Sequence, residues 1–154
     1  MEATDPAALD IIRHAMVVRL ATLSRNGRPS VTPIYFVVQE GHIWIGTVEW
    51  TLAVRTVRAD PRASLLFNRE RDPQARQIVR LTGTAVVRTD LPSLRIYNRK
   101  VALKYMLAPG GLWSYLTHLH KLKLLHHYHI QDDDKGDPCI IDVTPERIEL
   151  LTMP

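Results

Sequence analysis

Runs of β-branched and apolar residues, separated by polar turn signals, divide most of the chain into short predicted strands. Asn26-Gly27 and Glu40-Gly41 are typical of tight hairpin turns. Gly83 predicts a bulge inside one long strand, and Thr144-Pro145-Glu146 predicts a turn near the end of the chain. The predicted strands are Met16–Leu23, Ser30–Val38, His42–Val48, Arg62–Phe67, Gln77–Arg88 and Cys139–Val143, with a further short run at Ile148–Leu151.

Other segments carry helix signals instead. Asp5-Pro6 offers a cap followed by a proline in the first helical turn. Thr51 can cap a second helix, which Asp60-Pro61 terminates. Asp90 opens a third helix, and after a Pro-Gly break leucines repeat at helical spacing toward residue 130.

These elements predict a mainly β (α+β) fold in one domain. The chain has 154 residues, an ordinary domain length. The strands do not alternate regularly with helices, which argues against a parallel sheet. We therefore expect one domain over residues 1–154: a small antiparallel barrel with peripheral helices and a helical insertion near 91–130.

Cysteine usage and hydropathy narrow the protein class. Cys139 is the only cysteine, so we expect no internal disulfide. The longest stretch without charged residues, Tyr105–His120, is short and interrupted by Pro109, and is not typical of a membrane span. The first residues do not resemble a signal peptide. We expect a soluble, cytoplasmic protein.

Positive charge is concentrated in one part of the sequence. The net charge is +4, and no acidic residue occurs between Asp90 and Asp132. A block of one sign attracts anions, although a solvated basic helix face would look the same. No nucleic-acid-binding signature accompanies it, so we expect no nucleic-acid partner. The basic residues of this segment are Arg95, Arg99, Lys100, Lys104, Lys121, Lys123, His118, His120, His126, His127 and His129.

Common catalytic and metal motifs are absent. The sequence contains no GxGxxG, Walker A, GxSxG or HExxH motif. Among the clustered histidines, only His126 and His129 have the spacing of two ligands on one helical face. No acidic residue completes that set, so we expect no metal site. No side chain can be assigned as a catalytic acid or base.

The junction at Trp50 and Thr51 is the candidate site that physical reasoning favours. It stands between a predicted strand and a predicted helix. An aromatic side chain there can lie beside a planar ring. The first turn of the following helix presents backbone N–H groups to an anion.

Several sequence stretches resemble the pyridoxamine-phosphate-oxidase-like flavin split barrels. They are "RLATLSRNGRPSVTPIYFV", "IWIGT", "RTVRADPRASLLF", "VRLTGTAVV" and "IIDVTPERIELL". The resemblance covers about residues 10–90 and 138–151. It implies a six-stranded antiparallel Greek-key split barrel, usually a homodimer, with two flavin or deazaflavin sites at the dimer interface.

At several positions the sequence departs from this family. The oxidase proper carries an Arg and a Lys toward the flavin phosphate on its second strand, and the matching residues here are Thr32 and Val37. Where the family often has Ser-Arg-Lys after the third strand, this chain has Thr51, Leu52 and Ala53. Four phosphate-binding cations are therefore replaced, which argues against vitamin B6 oxidation.

Relatives that use the deazaflavin coenzyme F420 share the barrel and hold a longer anionic tail differently. The resemblance therefore implies F420, in preference to FMN. The implied function is an oxidoreductase that transfers a hydride between the cofactor and a small, conjugated organic substrate. The implied cofactor site comprises Thr32, Pro33, Ile34, Thr47, Trp50, Thr51 and Arg55. The first three of these would line the ring, and the other four would contact the edge of the ring or the tail.

Three alternatives stay open. A haem-binding or haem-degrading split barrel would take an axial ligand from His126, His127 or His129. A cofactor-free binding module would explain the replaced cations. Membrane-surface association of the basic segment 112–128 is the least favoured.

Overall fold

The computed structural model describes residues 5–106 and 136–154. The predicted mainly β (α+β) split-barrel class is confirmed. The helical insertion was predicted near residues 91–130. Its part from 107 to 130 lies outside the described residues. The elements are α1 (Pro6–His14), β1 (Val18–Leu23), β2 (Pro29–Ile34), β3 (Phe36–Gln39), β4 (His42–Val48), α2 (Leu52–Ala59), β5 (Arg62–Asn68), β6 (Gln77–Arg88), α3 (Leu91–Met106) and β7 (Pro138–Thr152).

The strands form one antiparallel sheet that curls on itself. Its order is β2-β1-β5-β6-β7-β4-β3, so β2 and β3 are its two edges. Tyr35 alone separates these two edge strands in the sequence. Because consecutive Cα atoms are about 3.8 Å apart, the two edges must lie close together. The sheet therefore closes into a barrel. We call the place where it closes the seam, and define it as the boundary between Met16, just before β1, and Phe36, the first residue of β3.

The predicted strand count of six is wrong, because the structure has seven strands in its described part. The run Ser30–Val38 was expected to form one strand, but it is divided at Tyr35. Ile34 pairs with β1, whereas Phe36 pairs with β4. The chain changes partner at this residue, and the hydrogen-bonded ladder is interrupted there.

The predicted turn at Thr144-Pro145-Glu146 is also wrong, because β7 runs through it without a break. The register of β6 and β7 shifts here instead, because Thr82 pairs with Arg147 whereas Gly83 pairs with Pro145. The extra residue of this bulge is therefore Glu146 of β7, opposite the predicted position in β6. A Cβ atom on Gly83 would overlap the Thr144 carbonyl oxygen. The close approach of the two backbones therefore requires glycine.

Two hairpin turns match the prediction. Glu40 and Gly41 have φ angles of 49° and 79°, so the β3–β4 turn has the left-handed conformation of a two-residue hairpin. Gly27 has a φ of 75° in the β1–β2 turn, and its N–H donates to the Ser24 carbonyl. Both turns set the register of the strands that they connect.

Apolar side chains fill the barrel, and α1 packs against it. Asp5 caps α1 by accepting a hydrogen bond from the Ala7 N–H at 2.9 Å. Ile11 and Ile12 are buried on the inner face of this helix. In the described part of the chain, the largest fully buried side chains are Phe36, Phe67, Leu20, Ile45, Leu65, Leu81, Ile140, Ile141, Val18, Val54, Val79 and Val143.

Helix α3 covers the outer surface of β3, β4 and β7. Asp90 accepts a hydrogen bond from the Ser93 N–H at 3.0 Å, which confirms the predicted helix start. Leu94, Tyr97 and Val101 pack on a second buried cluster. That cluster consists of Val37, Trp44 and Ile140. In the part of the chain that the structure describes, no helix has the length and apolar character needed to cross a bilayer.

The end of α3 bridges the seam. The Tyr105 hydroxyl donates to the Met16 carbonyl at 2.7 Å and lies 3.4 Å from the Phe36 amide nitrogen. The β1–β2 ladder ends at the pair Val18 and Ile34, which lie two residues from Met16 and Phe36, respectively. The tyrosine therefore links the segment before β1 to the start of β3, just beyond the end of the β1–β2 ladder.

Two lysines of α3 satisfy the free edge of β3. Lys104 Nζ donates to the Phe36 carbonyl at 3.2 Å, and Lys100 Nζ donates to the Val38 carbonyl at 2.8 Å. A strand edge with unpaired carbonyls invites pairing with another chain, and charged side chains prevent it. These lysines therefore protect the edge strand as well as holding α3.

We expect Tyr105→Phe to lower the free energy of unfolding by about 1–3 kcal/mol, because backbone groups at the seam lose their partner. Urea denaturation measures this change. Tyr35→Phe is the matched control, since Tyr35 is exposed and packs edge-on against Tyr105 only through its ring. Its expected effect is below about 0.5 kcal/mol. Equal losses in both variants would show that the Tyr105 hydroxyl does not hold the seam.

Candidate functional site

The junction between β4 and α2 is held by a chain of two hydroxyl groups. Thr51 Oγ1 donates to the Val48 carbonyl at 3.0 Å and lies 3.1 Å from Thr47 Oγ1. Because the Thr51 proton is committed to that carbonyl, the Thr47 hydroxyl is the donor to Thr51. The predicted side-chain cap is therefore wrong, since the Thr51 hydroxyl points back toward β4. The first-turn N–H groups of α2 receive no side-chain cap from it.

Trp50 lies at the surface of the same junction, with 59% of its area exposed. Gly136 approaches its ring so closely that a Cβ atom there would overlap Trp50 Cδ1. The Glu49 N–H donates to the Asp137 carbonyl at 3.0 Å. The segment that leads into β7 therefore supports one edge of the indole and leaves much of the ring exposed.

A concave surface beside this junction, which we call the arginine groove, has a volume of about 400 Å³. It lies between the β1–β2 turn and the exposed face of α2. Arg58 is paired with Glu49 at 3.3 Å, whereas the groove itself has no acidic side chain in its lining within residues 5–106 and 136–154. The groove can therefore bind an anion. Its lining residues are Ser24, Arg25, Leu52, Arg55, Thr56, Arg58 and Ala59.

A buried threonine pair fixes the two walls of the arginine groove relative to each other. Thr56 Oγ1 donates to carbonyls of its own helix and lies 2.8 Å from Thr22 Oγ1. Thr22 on β1 is therefore the donor in this pair, and both side chains are buried. Because buried hydroxyls need their partners, this bond holds α2 in a defined position on β1.

The structure brings together four of the seven predicted site residues. Thr47, Trp50, Thr51 and Arg55 lie on the β4–α2 junction or beside the arginine groove. The other three lie on edge strand β2, opposite β1 residues. The residues on this separate strand are Thr32, Pro33 and Ile34.

Positions that match the family's cations are partly closed in this protein. Val37 is only 2% exposed, because α3 covers it. Ala53 is buried in the barrel core, whereas Leu52 is exposed and lines the arginine groove. The sequence reasoning missed Arg25 as a site residue. The only sequence signal for Arg25 was its positive charge in a hairpin turn. The fold brings this turn to the groove that Arg55 also lines.

A second polar cluster, which the sequence did not indicate, lies on the outer face of β4, β6 and β7. The buried Asp142 carboxylate accepts from His42 Nδ1 at 2.8 Å and from Arg88 Nε at 2.6 Å. The hydrogen bond from Arg88 to Asp142 raises the pKa of Arg88. Among the residues described, Trp44 Nε1 and Gln39 Oε1 are buried without a hydrogen-bond partner.

No metal centre forms within residues 5–106 and 136–154, where no three His, Cys, Asp or Glu side chains are grouped to hold an ion. The histidines invoked for haem, His126, His127 and His129, lie outside the described residues. The arginine groove and the adjoining Trp50 junction are therefore the candidate functional site of the described chain.

Comparison with known proteins gives a family match over almost the whole chain. The family model described as pyridoxamine 5'-phosphate oxidase matches residues 4–152. No curated protein matches the sequence.

Solved structures share the fold at low sequence identity. A conserved hypothetical protein from Mycobacterium tuberculosis is 18% identical, with a TM-score of 0.70 over 97% of this chain and 86% of that chain. An F420 reductase is 16% identical, with a TM-score of 0.66 over 95% and 98% of the two chains. A haem storage protein from Vibrio cholerae is 16% identical, with a TM-score of 0.61 over 96% and 93%. At such identities the likeness shows the fold alone.

We expect inorganic pyrophosphate to bind the arginine groove and Arg25→Gln to weaken that binding about tenfold, because a charge-assisted hydrogen bond is lost. Isothermal titration calorimetry measures the affinity. Arg28→Gln is the matched control, since Arg28 lies in the same turn but does not line the groove. An equal loss in both variants would indicate a general charge effect and no site.

Proposed function

We propose that this chain, which belongs to the pyridoxamine 5'-phosphate oxidase family, is an F420- or FMN-dependent oxidoreductase. It transfers a hydride between this cofactor and a small, conjugated organic substrate. The observation that carries the proposal is the arginine groove beside the uncapped start of α2. Guanidinium groups and helix N–H groups together suit the phosphate groups of such a cofactor.

The arrangement of the cations favours F420 over FMN. The Val37 position, where the oxidase places a cation, lies under α3 and is closed to a phosphate group. Arg25 and Arg55 instead provide positive charge along the exposed face of α2. Two guanidinium groups in an open groove suit a long anionic tail better than a single compact phosphate.

The cofactor supplies the hydride chemistry, and the protein positions the reacting groups. The Thr47–Thr51 hydrogen bond and the bond to the Val48 carbonyl keep the junction in one geometry. Trp50 offers an exposed aromatic face to a planar ring. That face supports a conjugated substrate, because flat unsaturated molecules stack on indole.

We further propose a homodimer that joins the two halves of the site. Pro29, Val31 and Pro33 form an exposed apolar row on β2. The prolines lack N–H groups, which discourages strand addition at this edge and favours packing through the face. In such a dimer, Thr32, Pro33 and Ile34 of one protomer would approach the β4–α2 junction of its partner.

We expect F420 to bind the purified protein at least about tenfold more tightly than FMN, because the groove provides more than one cation for its tail. Fluorescence titration of both cofactors at several salt concentrations measures the two affinities. The double variant Arg25→Gln/Arg55→Gln should weaken F420 binding by about a hundredfold and reduce its salt dependence.

Arg28→Gln again serves as the control and should bind F420 normally. Tighter binding of FMN than of F420 would overturn the cofactor preference. If neither cofactor binds, the oxidoreductase proposal fails, and haem is the next ligand to titrate.

We expect Val31→Glu to dissociate the homodimer and to weaken cofactor binding, because it places a carboxylate in the apolar row of β2. Val31 is 64% exposed, so the substitution leaves the core intact. Sedimentation equilibrium measures the oligomeric state. Val86→Glu on β6, where the valine is 49% exposed, is the matched control. A Val31→Glu protein that stays dimeric would place the interface elsewhere.

A further inference from the structure

A second concave surface, the α1–α3 groove, lies between α1, β3 and α3 and has a volume of about 360 Å³. It shares no lining residue with the arginine groove. Its volume lies near the lower limit of small-molecule sites, about 300–1,000 Å³. The lining residues are Leu9, Ile12, Arg13, Val37, Val38, Lys100, Leu103 and Lys104.

Apolar side chains form most of the α1–α3 groove. Ile12 and Val37 are buried, whereas Leu9, Val38 and Leu103 are exposed large hydrophobic residues. Exposed apolar side chains are common singly on protein surfaces, but three that line one depression mark a binding surface. This surface suits an apolar chain or ring.

Three cations border the same groove, and no acidic side chain lines it among the residues that the structure describes. Lys100 and Lys104 each donate one hydrogen bond to a carbonyl of β3. An ammonium group has three donors, so neither lysine uses all of its donors in these bonds. Arg13 contributes the third cation from the last turn of α1. An apolar surface bordered by cations is complementary to an amphipathic anion.

The environment of Lys104 strengthens this complementarity. Its ammonium lies 3.3 Å from the centroid of the Phe36 ring, and the side chain is partly buried. Burial lowers the pKa of Lys104 to about 8, and the charge of Glu70 opposes that shift. A cation that has already lost much of its hydration interacts more strongly with an incoming carboxylate.

We propose that the α1–α3 groove binds a small amphipathic carboxylic acid. Its apolar chain lies on Leu9, Val38 and Leu103, and its carboxylate lies among Arg13, Lys100 and Lys104. A free acid is favoured over a macromolecule because the groove is small and its cations are close to its apolar surface. This site is separate from the proposed cofactor site and does not depend on it.

The test uses decanoate and its neutral analogue 1-decanol with the full-length protein. Calorimetry should show decanoate binding about tenfold more tightly than 1-decanol, because only the acid pairs with the cations. Amide chemical shifts should change at Val37, Val38 and Leu103 and stay constant on α2. Equal affinities, or shift changes confined to other elements, would overturn the proposal.

Matched variants locate the site. Leu103→Glu should weaken decanoate binding at least about tenfold, because it adds a negative charge and removes apolar surface. Leu91→Glu is the control, since Leu91 is also exposed and lies about 18 Å away on the same helix. Arg13→Gln should weaken binding, whereas Arg95→Gln should not. A loss of affinity in Leu91→Glu equal to that in Leu103→Glu would refute the site.

The pH dependence gives an independent readout. A bound carboxylate favours protonated Lys104, so decanoate affinity should fall as the pH rises through about 8. The charged and titratable groups around this amine are Arg13 of α1, Lys100 and Tyr105 of α3, and Glu70. Lys104→Met should abolish this fall in affinity. A wild-type affinity that stays constant across this range would contradict the placement of the carboxylate.

A second copy of the chain is the competing occupant of the α1–α3 groove. Sedimentation equilibrium of the wild-type protein and of Leu103→Glu distinguishes the two cases. An unchanged oligomeric state in a variant that has lost decanoate binding supports the proposal. Dissociation of Leu103→Glu into monomers, with no decanoate binding to the wild-type protein, would assign the groove to protein contact and overturn it.

Discussion

The closure of the barrel at Tyr35 is the constraint on which the rest of the structure depends. One residue connects the two edge strands, so the sheet must bring them together. The ladder is interrupted there, and Tyr105 supplies the missing hydrogen bonds. Helix α3 is thereby held across β3, where it covers Val37 and forms one wall of the α1–α3 groove. On the other side of the barrel, the Thr22–Thr56 bond fixes α2 and the arginine groove.

Local sequence patterns predicted most strands well, and two were confirmed to the residue: His42–Val48 and Gln77–Arg88. Their alternation and turn residues are properties of the local chain. The division at Tyr35 was not predictable in this way, because the apolar run continues through it and only the pairing partners change. Pro145 was mistaken for a turn because the sequence does not show that a bulge in β7, opposite Gly83, keeps this proline within the strand.

The candidate site was predictable to a similar extent. The strand-to-helix junction predicted Trp50 and Thr51, and the family resemblance added Arg55. These residues are close in sequence, so the local chain keeps them at one end of α2. Arg25 comes from a distant turn, so only the folded barrel brings it to the same groove. The match of Val37 to a family cation was a comparison of sequence positions and contained no information on α3, which covers this residue.

The position of β7 has a consequence for protein synthesis. It lies between β6 and β4 within the sheet, yet it comes last in sequence among the seven described strands. During translation, the preceding strands emerge as two separate groups whose edges stay unpaired until β7 leaves the ribosome. Pairing across such a long sequence separation is slow, because loop closure precedes any gain from contacts. Nascent chains are therefore most vulnerable to aggregation and to chaperone binding just before the final strand emerges.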